Sequence, residues 1–311
     1  MDLSVVVPIK DEADNLAALV AEINSALESS YSYEILFIDD GSRDQSWEEI
    51  RHLVQKHTFI RAYRFQFNCG KASALSLGFS KARGRFVVTL DGDLQDDPQE
   101  IPKMIQLIDS GYDLVSGWKK NRQDPWHKTW PSKLFNLTVS IVAGQRLHDF
   151  NCGLKVYKSS VLRFIPLYGD FHRFIPVMAR WQGFKITEMP VSHRARIHGV
   201  SKYGVSRLVS GFLDLLTLLF LRSFGSKPLH FFGLIGLFFV FSGVGILGYF
   251  GVEWLMVGAL RVRPLLLMGG FSLIMGIQFI SLGLLGEMMN QNKEVIYPIA
   301  EELSYKNIEE Q

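Results

Sequence analysis

The sequence predicts an α/β domain with a mostly parallel sheet covered by helices, joined to a membrane anchor. Three observations carry this reading. Strand-like and helix-like patterns alternate through the first 118 residues, polar and acidic residues recur where the strands end, and residues 229–289 are nearly free of charge. A chain of 311 residues that is 48% hydrophobic with a net charge of only +2 fits a soluble domain with an anchor and offers no footprint for a nucleic-acid partner.

The alternation is read element by element. LSVVVPI, residues 3–9, is a β-branched run, and Leu16, Leu19, Val20, Ile23 and Leu27 follow at helical spacing. EILFID is a second strand. Ser42 and Gln45 have the spacing of a capping box that opens a helix with Trp47, Ile50 and Leu53 on its apolar face. IRAYRF, the helical KASALSLGFSKA and then RFVVTL continue the pattern. Asp97-Pro98-Gln99-Glu100 is a helix start with Asp as cap and Pro at the first position, and YDLVSGW at 112–118 is the next strand.

The anchor is predicted as two spans, about 229–250 and 265–285, each near the 20 residues a helix needs to cross the hydrocarbon core. The short connection containing Glu253, Arg261 and Arg263 makes them a hairpin, with the N-terminal domain and the tail from Glu287 in one compartment. The domain limits are then 1–204 for the sheet domain, 205–228 for an amphipathic juxtamembrane segment, 229–289 for the hairpin and 290–311 for the tail. Arg207, Asp214 and Arg222 interrupt the apolar run 205–224, which favours an interfacial helix over a third span. The apolar run Leu3 to Ile9 is too short for a signal peptide, and the two cysteines, Cys69 and Cys152, lack zinc spacing and suit a reducing compartment. The expected location is the inner (cytoplasmic) membrane, with the sheet domain facing the cytoplasm. A homo-oligomer is left open.

In a parallel sheet, ligands sit beyond the carboxyl ends of the strands. Those ends read Pro8-Ile9-Lys10-Asp11-Glu12, Asp39-Asp40-Gly41-Ser42, Asn68-Cys69-Gly70-Lys71 and Asp91-Gly92-Asp93. The first glycine of the chain is Gly41, which excludes a G-x-G-x-x-G after the first strand, and no G-x-x-x-x-G-K-[ST] occurs. Asp91 and Asp93 are two apart, so on an extended segment both project the same way and can grip one divalent cation. An EF-hand fails, because its sixth position is Asp96 and its twelfth Pro102. Asp97 is better read as a helix cap, and Asp96 is open between the two roles.

VVVPIKDEADN, IDDGSRD, NCGKASAL and DGDLQDDP, in this order and spacing, resemble the family-2 glycosyltransferases of GT-A fold, most closely the polyprenyl-phosphate (dolichyl-phosphate type) sugar synthases. The resemblance covers roughly residues 1–230 and implies transfer of one sugar, with inversion, from a UDP- or GDP-sugar to a polyprenyl phosphate at a bilayer. It implies that Pro8, Glu12, Asp39 and Asp40 face the base and ribose, and that Asp91, Asp93 and Gln95 hold Mg2+ or Mn2+ on the diphosphate. Lys10, Lys71 and Gly92 belong to the same strand ends and are assigned to the nucleotide sugar with them. The family often has an aromatic residue where this chain has Lys10, so base stacking there is replaced by a lysine that reaches a phosphate or stands exposed.

Three further segments, HDFNCGLKVY at 148–157, HRFIPVMARWQGF at 172–184 and SHRARIHGVSKYG at 192–204, fall on the acceptor side. Guanidinium forks match phosphate, so Arg194, Arg196 and Lys202 are candidate phosphate binders, with Arg122 a weaker one; attraction to anionic headgroups is the plainer alternative. A lipid monophosphate is already anionic and needs no strong base, so Asp149 orients the acceptor or a basic side chain, unless it is only a turn residue. Three rival functions fit the residues less well. A processive synthase of the same fold typically has Q/R-x-x-R-W, whereas here Val177 stands three residues before Arg180-Trp181, and two spans make a poor polymer channel. A non-catalytic scaffold conflicts with the intact Asp91, Asp93 and Gln95. A soluble nucleotidyltransferase would need no anchor.

Overall fold

The sequence of the first strand reflects burial on both faces. In the computed structural model, which describes residues 1–120, 138–140, 147–165, 167, 169, 171–194, 206–224, 227–258, 263–290 and 299–303, β1 (Leu3–Ile9) is central. Leu3, Val5, Val7 and Ile9 join one core with Leu16, Leu19 and Ile23 of α1 (Ala13–Leu27), Trp47 and Ile50 of α2 (Ser46–Lys56), and Met104 and Ile108 of α4 (Ile101–Asp109). The opposite face meets α3 (Lys71–Lys81), where Gly78 lies so close to Val6 that an added Cβ would stand 2.2 Å from Val6 Cγ1. Helices on both faces account for the near-continuous hydrophobic run.

Among the described residues, eight strands form one sheet in the order β7-β5-β6-β4-β1-β2-β3-β8. The others are β2 (Tyr33–Asp39), β3 (Ile60–Phe65), β4 (Phe86–Thr89), β5 (Leu114–Trp118), β6 (Lys155–Lys158), β7 (Ile186–Pro190) and β8 (Ile299–Leu303). The four strands β4-β1-β2-β3 are parallel, as expected. Beyond them the sheet is mixed: β6 is antiparallel to both β4 and β5, β7 is parallel to β5, and β8, from the C-terminal tail, is antiparallel to β3.

The expected capping box is absent. α2 begins at Ser46, whose N–H is taken by Asp44 Oδ1 at 3.0 Å, while the Ser42 hydroxyl accepts from Asp11 N at 2.9 Å. Ser42 is spent on a neighbouring loop, so it cannot cap. The Asp97 cap is present: its Oδ1 accepts from Gln99 N at 3.0 Å, with Pro98 at the first position of a short 3-10 turn that leads into α4.

The chain divides into two compact units, Met1–Asp214 with Tyr297–Gln311, and Leu215–Ile296. Within the second, helices Pro228–Val257 and Pro264–Asn290 are both long and apolar enough to cross a membrane. They pack through glycine. A Cβ on Gly236 would stand 2.8 Å from the Gly276 carbonyl, and one on Gly243 would stand 2.8 Å from that of Gly269. The close approach is the small-residue packing that substitutes for a hydrophobic driving force between apolar helices. Gly258, at φ +70°, ends the first of them with its N–H on the Trp254 carbonyl at 2.8 Å.

Candidate active site at the carboxyl ends of the parallel strands

The β1–α1 and β2–α2 loops are tied together. Asp11, held at φ +52°, accepts from Arg43 N at 2.8 Å, Glu12 N donates to Ser46 Oγ at 2.9 Å, and the Glu12 carboxylate accepts from the buried Asn15 amide at 2.6 Å. Lys10 is half-buried rather than exposed. Its ammonium donates to the Asp40 carbonyl at 3.2 Å and to that of Gly41, binding the first strand end to the second. Gly41, at φ +65°, lies against the Phe67 and Asn68 backbone, where a Cβ would stand 2.8 Å from Phe67 C. Pro8 is half-buried beside Ile38 of β2 in register.

Asp39 and Asp40 are buried and bound by the fold. Asp39 Oδ1 accepts from Ser42 N at 2.9 Å, and its Oδ2 lies 3.2 Å from Arg64 Nε. Asp40 Oδ1 accepts from Cys69 N at 2.6 Å and Gly70 N at 3.1 Å, capping the turn that starts α3. Burial pushes both carboxyls above the usual carboxylate range despite these hydrogen bonds.

Asp91 and Asp93 follow β4 directly, but residues 92 and 93 form a turn rather than an extended segment. Leu94, buried at φ +60°, redirects the chain, and Gln95 N donates to Asp93 Oδ1 at 3.3 Å. A left-handed leucine is a strained residue of the kind that functional loops retain. Gly92 sits under Ile9, with room for no side chain: a Cβ would stand 2.7 Å from Ile9 Cδ1. Gly153 cradles the Asp91 carboxylate, where a Cβ would stand 2.5 Å from its carbon. Lys71, the first residue of α3, places its ammonium 2.5 Å from Asp91 Oδ1. Burial acts to raise the Asp91 carboxyl, but the ammonium groups of Lys71, Lys119 and Lys155 outweigh it and hold that carboxyl well below the usual range.

Asp96 has a structural place. It is fully buried, pairs across an isolated bridge with His193 and lies 2.9 Å from the Lys119 ammonium. Arg194 is clamped beside it. Its N–H donates to the Gln95 carbonyl at 2.9 Å, and its guanidinium meets Glu22 at 2.7 Å and Asp97 at 3.1 Å. Two carboxylates therefore hold the Arg194 fork, and its backbone ties the segment before Arg196 to the loop after β4. Arg122, Arg196 and Lys202 lie outside the described residues. Asp149 is buried, and its Oδ1 accepts from Asn151 N at 3.0 Å, the geometry of a turn residue.

Pattern reading missed Lys119, Gly153, Lys155 and His172. Lys155 is buried and donates to the Cys152 carbonyl. His172, buried near Lys71, Arg173 and Lys155, is held well below the ordinary imidazole value, chiefly by burial and then by those cations, and so is neutral. With Lys71 and Asp91, these two line a small cavity under Gly153. Cys152 is buried, Cys69 is partly buried, and neither is in a disulfide.

The family model of glycosyl transferase family 2 matches residues 4–167, which span every one of the strand ends described above. The chain belongs to glycosyltransferase family 2. This glycosyltransferase is 38% identical to dodecaprenyl-phosphate galacturonate synthase of Rhizobium johnstonii, over 93% of this chain and 88% of the relative. It is 34% identical to undecaprenyl-phosphate 4-deoxy-4-formamido-L-arabinose transferase of Edwardsiella ictaluri, over 93% of this chain and 89% of the relative. Among solved structures, it shares a fold with glucosyl-3-phosphoglycerate synthase from Mycobacterium tuberculosis in complex with Mn2+ and uridine-diphosphate-glucose. That match has a TM-score of 0.54 at 15% identity, over 71% of this chain and 78% of the other.

The residues expected to hold a metal in this glycosyltransferase have the chemistry for a hard divalent cation. Asp91, Asp93 and Gln95 each carry side-chain oxygen, and Gly153 leaves room for the Asp91 carboxylate, whose present partner is the Lys71 ammonium. Among the described residues no three His, Cys, Asp or Glu side chains form a metal cage. A cation here would draw on one or two carboxylates and on substrate phosphates, the usual manner for Mg2+.

Proposed function

We propose that this enzyme transfers one sugar from a nucleotide-diphosphate sugar to a polyprenyl phosphate, with inversion at the anomeric carbon, at the cytoplasmic face of the inner membrane. The observation that carries this reading is the 38% identity to a dodecaprenyl-phosphate sugar synthase over 93% of the chain, the apolar helices included. The donor is a UDP- or GDP-sugar. Pro8, Glu12, Asp39 and Asp40 line its base and ribose, and Lys10 and Gly92 shape the loops around them.

Asp91, Asp93 and Gln95 would hold Mg2+ or Mn2+. When bound, the cation supplies positive charge against the leaving diphosphate. A phosphate oxygen of the lipid forms the new bond to the anomeric carbon, while the bond from that carbon to the diphosphate breaks and its electron pair leaves on the nucleotide. Lys71, at the start of α3 beside Asp91, adds a preorganised positive charge where the negative charge develops. Arg196 and Lys202 hold the acceptor phosphate, while Arg194 positions their segment against the metal loop. No proton has to leave the acceptor, so Asp149 orients the site through its turn rather than acting as a base.

The test is incubation of the membrane-reconstituted enzyme and Mn2+ with undecaprenyl phosphate and a panel of labelled UDP- and GDP-sugars. One donor is expected to yield a lipid-linked monosaccharide. A folded protein that labels no lipid across the panel overturns the proposal, and a polymeric product would assign the chain to processive synthesis.

A further inference from the structure

Two residues that line the small cavity under Gly153 carry polar atoms that the fold does not use. His172 Nδ1 and Asn151 Oδ1 are both shielded from solvent, and neither has a hydrogen-bond partner among the described residues. Asn151 lies shortly before β6, and His172 in the 3-10 turn Phe171–Phe174 that leads into helix Ile175–Trp181. A buried polar atom left unpaired costs about 1–3 kcal/mol, so two at one cavity mark a place for a ligand group.

The cations of the cavity already have partners. Lys155 donates to the Cys152 carbonyl, and Lys71 meets the Asp91 carboxylate. The unmatched pair asks for something else. Asn151 Oδ1 can only accept, whereas Nδ1 of the neutral His172 ring donates when it holds the proton. A phosphate oxygen could take the imidazole N–H, but it has no hydrogen to give Asn151. A hydroxyl satisfies both, accepting from His172 and donating to Asn151. Size agrees, because the cavity admits about one water-sized group, too little for a sugar ring and enough for one hydroxyl.

We propose that one ring hydroxyl of the transferred sugar enters this cavity and bonds both His172 Nδ1 and Asn151 Oδ1, so that these two residues select the donor sugar. The inference rests on the donor reading given above. Asp91 lines the same cavity, so a sugar carried on a diphosphate held at Asp91 has its ring beside the opening. A site built to hydrogen-bond a hydroxyl rejects an analogue without it, because its own polar atoms are then left unpaired.

The test uses the full-length enzyme reconstituted in membranes with Mn2+ and undecaprenyl phosphate. It is given the sugar it turns over best from the UDP- and GDP-sugar panel, and each monodeoxy form of that donor. Wild type is expected to lose about a hundredfold or more in kcat/KM with one monodeoxy donor. His172→Phe is expected to lose about a hundredfold with the parent donor and little more with that monodeoxy form, since both changes delete the same contact. Its affinity for free UDP or GDP should match wild type. A residue that only supported the fold would lower all donors alike. His172→Asn, which keeps a polar atom near the Nδ1 position, retains most of the activity. Asn151→Leu is expected to show the same coupling, so the measurement stands if His172→Phe does not fold. Equal losses for the parent and every monodeoxy donor, in whichever variant folds, overturn the hydroxyl site while leaving the transfer reaction intact. Wild type that labels no lipid overturns both.

Discussion

Two pairs of aspartates end the strands that flank β1, and their surroundings set them apart. Asp39 and Asp40, after β2, are held by backbone N–H groups of residues 42, 69 and 70 and by Arg64, and burial raises their carboxyls. Asp91, after β4, has lysines for neighbours and is driven the other way. A carboxylate satisfied by rigid backbone is fixed in place by the fold. One satisfied by a flexible ammonium can exchange that partner for another cation. The sequence presents both pairs as acidic strand ends, and only their partners tell them apart.

The sharpest way to break this contrast is Asp93→Asn. If the pair after β4 serves chemistry, turnover falls by about a thousandfold or more, the scale of losing a metal or electrostatic stabiliser. The thermal midpoint should stay within a few degrees of wild type. Retained activity in the lipid-labelling assay would remove the metal reading.

Asp39→Ala should lower stability as well as donor affinity. It strips the Ser42 N–H of its acceptor and Arg64 of its buried counter-charge, and is expected to cost about 2–3 kcal/mol in urea unfolding. A variant as stable as wild type would show that the fold does not depend on Asp39.

A third test uses pH. The folded Asp40 carboxyl titrates above 3.8, so wild type gains stability as pH falls from its folded pKa toward that value, because the folded state takes up the proton first. Asparagine cannot gain in this way. The stability difference between wild type and Asp40→Asn is therefore expected to widen over that interval in wild type's favour, and a constant difference would contradict the raised carboxyl. For Asp91 the sign is opposite: the stability its depressed carboxyl contributes is present above the unfolded value and is lost only as pH falls through the lower folded one.

The smallest effect belongs to Asp97→Ala, which removes a helix cap and one of two Arg194 partners. About 1 kcal/mol is expected, with a modest loss of turnover if Arg194 positions the segment that follows it. An unchanged unfolding midpoint would rule out the cap.

Most of the parallel half of the fold is legible in the sequence because its information is local. Leu3–Ile9 and Ile60–Phe65 are strands over the spans the residue pattern indicates, and Asp97-Pro98 opens a helical turn as its chemistry requires. What escapes is decided by partners distant in sequence. Nothing in KASALSLGFSKA says that Lys71 will meet Asp91, or that Gly153 will leave room for that carboxylate. Nothing in SHRARIHGVSKYG says that Arg194 will meet Glu22, 172 residues earlier. The capping box at Ser42 fails for the same reason, since the hydroxyl is taken from outside its own loop. β8 escapes differently. IAEEL lacks the alternation and β-branched density of a strand, and becomes one because the exposed edge of β3 supplies its hydrogen bonds.

That last pairing has a topological consequence. Ala62 to Arg64 on β3 are in register with Glu301 to Leu303, so the chain that leaves the sheet domain for the apolar helices comes back to the same sheet. A path that begins and ends on one sheet crosses any bilayer an even number of times. Parity alone therefore denies helix Ser206–Phe224 a crossing of its own while both long helices cross. With both long helices crossing, as proposed, deleting either one would leave β8 on the far side of the membrane from its partner strand.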